Sequence, residues 1–211
     1  MSQLKLTADS GGGTVAIKAP ASTTGNAALE MTVPSTASGT LDSLNRAGNI
    51  LQVVQTVKTS YFTNASVDTV VDVTGASVDI TPASTSNKIY VTVSGAYSNG
   101  VDEAYGHMFL ARTISSTTVN DIALGDAAGS SSRATIDMNA CSRVSGVQHG
   151  AFNFSIQYLD SPSTTSTVTY KLQVRGRYPS DFNVGIGGTY STSDHNKVRV
   201  PTFITAMEVA A

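Results

Sequence analysis

Tryptophan is absent from this chain, cysteine occurs once, glutamate occurs three times, and only 13% of the 211 residues are charged. Soluble domains usually carry roughly 25% charged residues. Each scarcity excludes something. A lone Cys141 cannot form an internal disulfide, and with Met138 and Ala140 close by it reads as a small hydrophobe. Few acids leave no carboxylate pair of the kind that flanks a glycosidic bond during cleavage. No Gly-x-Ser-x-Gly elbow marks a hydrolase. The chain is therefore read as non-enzymatic.

A formal net charge of −2 offers no basic stripe, so no nucleic-acid partner is expected. No apolar run nears the ~20 residues a bilayer crossing needs, so no membrane insertion is expected. Met1-Ser2-Gln3 runs straight into Leu4-Lys5-Leu6 without a charged, then apolar, leader. Synthesis in a cytoplasm is the expectation, and without export the sequons at Asn64 and Asn153 carry no meaning.

What is present is hydroxyl and alternation. About a quarter of the residues are Ser or Thr. Residues 87–95 read N-K-I-Y-V-T-V-S-G, with Ile89, Val91 and Val93 on one face. Residues 150–160 place Phe152, Phe154, Ile156 and Tyr158 together, and 166–176 do the same with Val168, Tyr170, Leu172 and Val174. A period of two is that of a strand, whose successive side chains point to opposite faces. No segment sustains a 3.6-residue period. The fold class is all-β. A hydroxyl-rich coat costs less to desolvate than a charged one, which favours a subunit of an assembly over a free extracellular β-protein.

Candidate strands cover residues 50–59, 67–73, 77–81, 88–94, 107–114, 119–123, 133–138, 151–159, 167–175 and 198–209. Thr74-Gly75, Ser98-Asn99-Gly100, the stretch 126–129 and Ser161-Pro162 supply turns. Eight to ten strands without helices imply an antiparallel β-sandwich of jelly-roll type over 49–211. Residues 1–48 read as an extended N-terminal β-arm and linker, with one helical turn at 41–47. The arm's short apolar pieces cannot bury enough surface to stand alone. Leu4, Leu6, Val15, Ile17, Leu29 and Met31 are its candidate anchoring residues. Residues 178–196, rich in glycine, form a long loop of the kind that is functional or packed at an interface.

Motifs that carry chemistry are few. Gly11-Gly12-Gly13-Thr14 lacks the Lys-Ser/Thr ending and the following helix of a phosphate loop, so it reads as a turn. The glycines of 185–188 suit positive φ or the close approach of another chain. His107, His149 and His195 stand in separate segments without ligand spacing. Asp102-Glu103 and Asp194 lack the alternating oxygens of a calcium loop. No metal and no cofactor are expected. Arg175, Arg177, Lys197 and Arg199 form a candidate basic contact patch if their flanking strands pair. Its alternatives are ion pairing to Asp181 or Asp194 and contact with an acidic neighbour. A lectin-like reading would use aromatic platforms at loop tips, for which Tyr97, Tyr105, Tyr178 and Tyr190 are available.

Five segments carry a family resemblance: L-K-L-T-A-D-S-G-G-G at 4–13, K-A-P-A-S-T-T-G-N-A-A at 18–28, I-L-Q-V-V-Q-T-V-K-T at 50–59, V-D-I-T-P-A-S-T-S-N-K-I at 78–89 and Y-L-D-S-P-S-T-T at 158–165. They resemble structural proteins of marine tailed bacteriophages. The resemblance implies a virion protein, usually trimeric, shown as fibre, spike or decoration and made in the host bacterial cytoplasm. Partners would be copies of itself, phage capsid or tail proteins, and a host surface glycan. The chain has neither heptads nor repeats to build a long shaft. The expectation is a short trimeric surface protein, as capsid decoration or head fibre, with a tail-attached fibre or receptor-binding module as the alternative.

Overall fold

The computed structural model describes residues 3–7, 14–18, 46–99, 105–138, 151–178, 184–189 and 198–211. The chain divides into two compact units, Met1–Leu41 and Asp42–Ala211. In the first, β1 (Gln3–Thr7) and β2 (Thr14–Lys18) form an antiparallel hairpin. Leu4 stands opposite Ile17 and Leu6 opposite Val15. Leu29, Met31 and most of the expected helical turn lie outside the described residues.

The second unit holds β3 (Ile50–Lys58), β4 (Phe62–Asn64), β5 (Val70–Ile80), β6 (Lys88–Asn99), β7 (Tyr105–Ile114) and β8 (Thr117–Ile122). It continues with β9 (Ile136–Asp137), β10 (Phe152–Asp160), β11 (Val168–Tyr178), β12 (Val184–Ile186) and β13 (Thr202–Val209). Gly48 N–H donates to Ala210 O at 2.8 Å and Ala210 N–H to Asn49 O at 2.9 Å. These bonds tie the start of the unit to its last residues.

The pairings nest. β3 pairs β13, β5 pairs β11, β6 pairs β10 and β7 pairs β8, all antiparallel. That is one long hairpin folded over on itself, the plan of a jelly roll. One sheet reads β10–β6–β13–β3, and beyond the start of β13 its place beside β6 passes to β12, which pairs β4. The other reads β5–β11–β7–β8, with the short β9 also on β7. The all-β, jelly-roll expectation holds.

Alternation decides what lies between the sheets. Ile89, Val91, Val93, Val168, Tyr170, Leu172 and Val174 are all buried, as are Phe154 and Ile156. Each large apolar side chain removed from water stabilises the fold by about 1.5–3 kcal/mol.

Three local expectations change. Segments 67–73 and 77–81 are not two strands split by a turn at Thr74-Gly75. β5 runs through from Val70 to Ile80. Its register against β11 slips between Lys171 and Gln173, and Gly75 takes φ +82° there, so the glycine serves a bulge. β6 likewise continues through Ser98 and Asn99. Finally, the expected loop at 178–196 contains β12, whose Val184, Gly185 and Ile186 are all buried. Three residues are too few to display a period.

Candidate functional site

Two buried carboxylates organise the sheet ends. Asp160, at the end of β10, accepts Arg112 Nη1 at 2.7 and 2.8 Å and Tyr170 Oη at 2.6 Å. Arg112 and Tyr170 are cross-strand partners in the opposite sheet, so this cluster links the two layers. Glu208 on β13 is 1% exposed and accepts Gln52 Nε2 at 2.6 Å, Ala83 N–H at 2.7 Å and Asn87 Nδ2 at 2.6 Å. Burial pushes the Glu208 carboxyl up, but the hydrogen bonds from Asn87, Gln52 and the Ala83 and Ser84 backbone outweigh it and hold it below the usual range. The role of both clusters is architectural.

An open cleft of about 820 Å³ lies at one end of the second sheet. Tyr105 and His107 come from the start of β7, Asp137 from β9, Asp68 from the turn before β5 and Arg177 from the end of β11. The connection from β8 to β9 adds Asp126, Ser131, Ser132 and Arg133. This connection is shaped locally: Arg133 Nε donates to Gly125 O at 2.8 Å, and Ala127 N–H to Asp126 Oδ1 at 2.8 Å. Thr135 then caps the β7 edge, donating its N–H to Met108 O and accepting Leu110 N–H on its hydroxyl.

His107 stands between Arg175 and Asp137 in the β-ladder. Burial, then the Arg175 guanidinium, lowers its pKa from 6.5, with Asp137 opposing and Arg177 adding to the shift. The ring is neutral at pH 7. Arg175 Nη2 lies 3.5 Å from His107 Nδ1. A guanidinium only donates, so in this contact Nδ1 is the accepting side. The described residues contain no group of three or more His, Cys, Asp or Glu able to hold a metal.

Of the four candidate basic residues, Arg175 and Arg177 lie two apart on β11, whereas Arg199 follows β12 in the chain. Arg175 lies over the Phe109 ring at 5.4 Å, and Arg177 pairs with Asp68 at 2.9 Å on the surface. Arg199 forms an isolated antiparallel bridge with Gly188, just after β12. It stacks on Tyr61 at 3.7 Å and donates to Thr189 O. Lys197, Asp181 and Asp194 lie outside the described residues, as do Cys141, His149, His195, Tyr190 and Asp102-Glu103. Of the flagged aromatics, Tyr97 is buried against Phe152, whereas Tyr105 lines the cleft. Gly185 admits Tyr61, since a Cβ there would overlap the Tyr61 ring and hydroxyl. The close approach comes from a side chain of the same chain. Gly187 and Gly188 take φ of +102° and +126°.

The outer face of the first sheet is a second surface. Three four-residue rows cross it: Ser155–Ser94–Phe203–Val57, Gln157–Thr92–Thr205–Gln55 and Leu159–Tyr90–Met207–Val53. None of these residues is charged. Val53, Leu159, Val57 and Phe203 are 57%, 48%, 47% and 38% exposed. Sequence reasoning missed this surface because its apolar residues sit on the outward phase of strands whose inward phase is also apolar.

No protein-family description and no curated protein match the chain. Among solved structures it is similar to a mutant VP2 protein of infectious bursal disease virus in T=1 particles, at 11% identity and TM-score 0.36, over 94% of this chain and 43% of that one. It is also similar to the Gt strain of that virus, at 10% identity and TM-score 0.37, over 94% and 45%. For the Gx strain the values are 9% and 0.36, over 87% and 41%. The chain spans less than half the length of these structures.

Proposed function

We propose that the protein is a bacteriophage virion structural protein, a short homotrimeric surface subunit that decorates or stabilises the particle. It acts as a capsid decoration or head fibre, without catalysis, displayed on the virion after synthesis in the host cytoplasm. Residues 1–48 anchor it and residues 49–211 are the displayed domain. The observation that carries this reading is the set of three uncharged rows on the outer face of the first sheet, with Val53, Val57, Leu159 and Phe203 left open. Such a face gains by burial and desolvates no ion in doing so. Closed symmetry buries identical patches without open-ended growth. The jelly roll agrees with the reading, being common to viral capsid and lectin domains, though a fold by itself assigns no function.

Native mass measurement of the purified chain tests the trimer; a stable monomer at micromolar concentration overturns it. Deleting residues 1–40 should leave a soluble domain that no longer joins particles. Normal occupancy after that deletion places the anchor elsewhere.

The cleft favours a second reading, a tail-attached fibre or receptor-binding module recognising host surface glycans. Electron microscopy of particles carrying a labelled copy separates head from tail.

A further inference from the structure

We propose that the cleft at the β7–β9 end of the domain is a binding site for an uncharged saccharide. The inference deepens the glycan-recognition reading and rests on it. Its volume of about 820 Å³ lies within the ~300–1,000 Å³ typical of small-ligand sites.

The lining selects the ligand class by exclusion. Among the described residues of the lining, three carboxylates, Asp68, Asp126 and Asp137, face two guanidinium groups, Arg133 and Arg177. Arg177 is already engaged by Asp68, and Arg133 Nε by Gly125 O. His107 adds no charge at pH 7, because burial and Arg175 hold it neutral. An anionic ligand would thus meet surplus negative charge. A divalent cation lacks a ligand set among the described residues. An apolar ligand would strip water from carboxylates and hydroxyls without replacing their hydrogen bonds.

A saccharide answers all three features. Each of its hydroxyls both donates and accepts, matching carboxylate acceptors, guanidinium donors and the hydroxyls of Ser131 and Ser132. Its C–H faces pack against rings, and Tyr105 and His107 supply them. The sequence contains the same residues scattered from 68 to 177. Only the β5–β11–β7 ladder gathers them.

The test is saturation-transfer NMR and calorimetric titration of the full chain. The probes are trisaccharides of glucose, galactose, mannose and N-acetylglucosamine, with trigalacturonate and inorganic phosphate as charged comparators. Expected is saturable binding of at least one neutral trisaccharide, weakened at least fivefold by Asp126→Asn and by Arg133→Ala. Both residues are exposed, so the fold should tolerate each change, which far-UV circular dichroism checks. Asp79→Asn, remote from the cleft, serves as the control and should bind as wild type. If no neutral probe binds wild type, glycan recognition itself fails. If wild type binds but both cleft variants bind equally well, recognition stands and the cleft assignment falls. Binding of trigalacturonate or phosphate without the neutral sugars also overturns the proposal.

Discussion

Tyr170 Oη donates a 2.6 Å hydrogen bond to Asp160 Oδ2 across the two sheets, with both residues buried. Arg112 Nη1 holds the same carboxylate at 2.7 Å. Burial, reinforced by the bond to Asp160, pushes the Tyr170 phenol well above its ordinary value of 10. The hydroxyl therefore stays protonated and keeps donating throughout the neutral range.

Asp160→Ala should destabilise the domain by about 3–5 kcal/mol, because it strands the Arg112 cation and the Tyr170 hydroxyl. Tyr170→Phe should cost less, about 1.5–3 kcal/mol, since Arg112 still neutralises the carboxylate. Urea midpoints at constant slope measure both. Equal effects would mean that the layers are not linked through Asp160.

The pH dependence of stability should show two windows on the acid side. His107 has a lowered pKa, so below about pH 6.5 the unfolded chain takes up a proton that the folded one refuses, and stability falls. Glu208 has a carboxyl held below its ordinary 4.5, so its contribution is present above that pH and is lost as the pH drops through the folded value. His107→Gln should flatten the first decline and Glu208→Gln the second. Thermal melts from pH 8 to 3 read both.

Gly185→Ala should destabilise by about 1–3 kcal/mol through overlap with Tyr61. Adding Tyr61→Ala should recover part of that loss, giving a coupling that a double-mutant cycle detects. Simple additivity would show that the glycine answers some other demand.

Val53→Asp should leave the isolated domain folded, within about 0.5 kcal/mol of wild type, because the side chain is more than half exposed. It should abolish the proposed self-association, since a charge would then have to be buried at the proposed assembly face. Sedimentation velocity at matched concentrations distinguishes a monomer from an intact oligomer.

Much of this was legible along the chain because it is a property of neighbours. The period of two in Val168, Tyr170, Leu172 and Val174 names a strand and its inner face, whatever that strand pairs with. The glycines of 185–188 read as serving positive φ or the close approach of another chain, and at Gly185 the approach is made by Tyr61 of the same chain.

Partner choice lay beyond that reach. Arg177 reaches back to Asp68, more than a hundred residues earlier in the chain, while Asp181 and Asp194 lie outside the described residues. Thr74-Gly75 has the composition of a turn, and only the continuous ladder with β11 converts it to a bulge. The cleft joins Asp68, His107, Arg133, Asp137 and Arg177 from five separate segments, and no window of sequence contains them. Local periodicity is set by backbone sterics within a few residues. Strand order is set by the summed burial and hydrogen bonding of pairs such as β3 with β13, which exist only once the chain has folded.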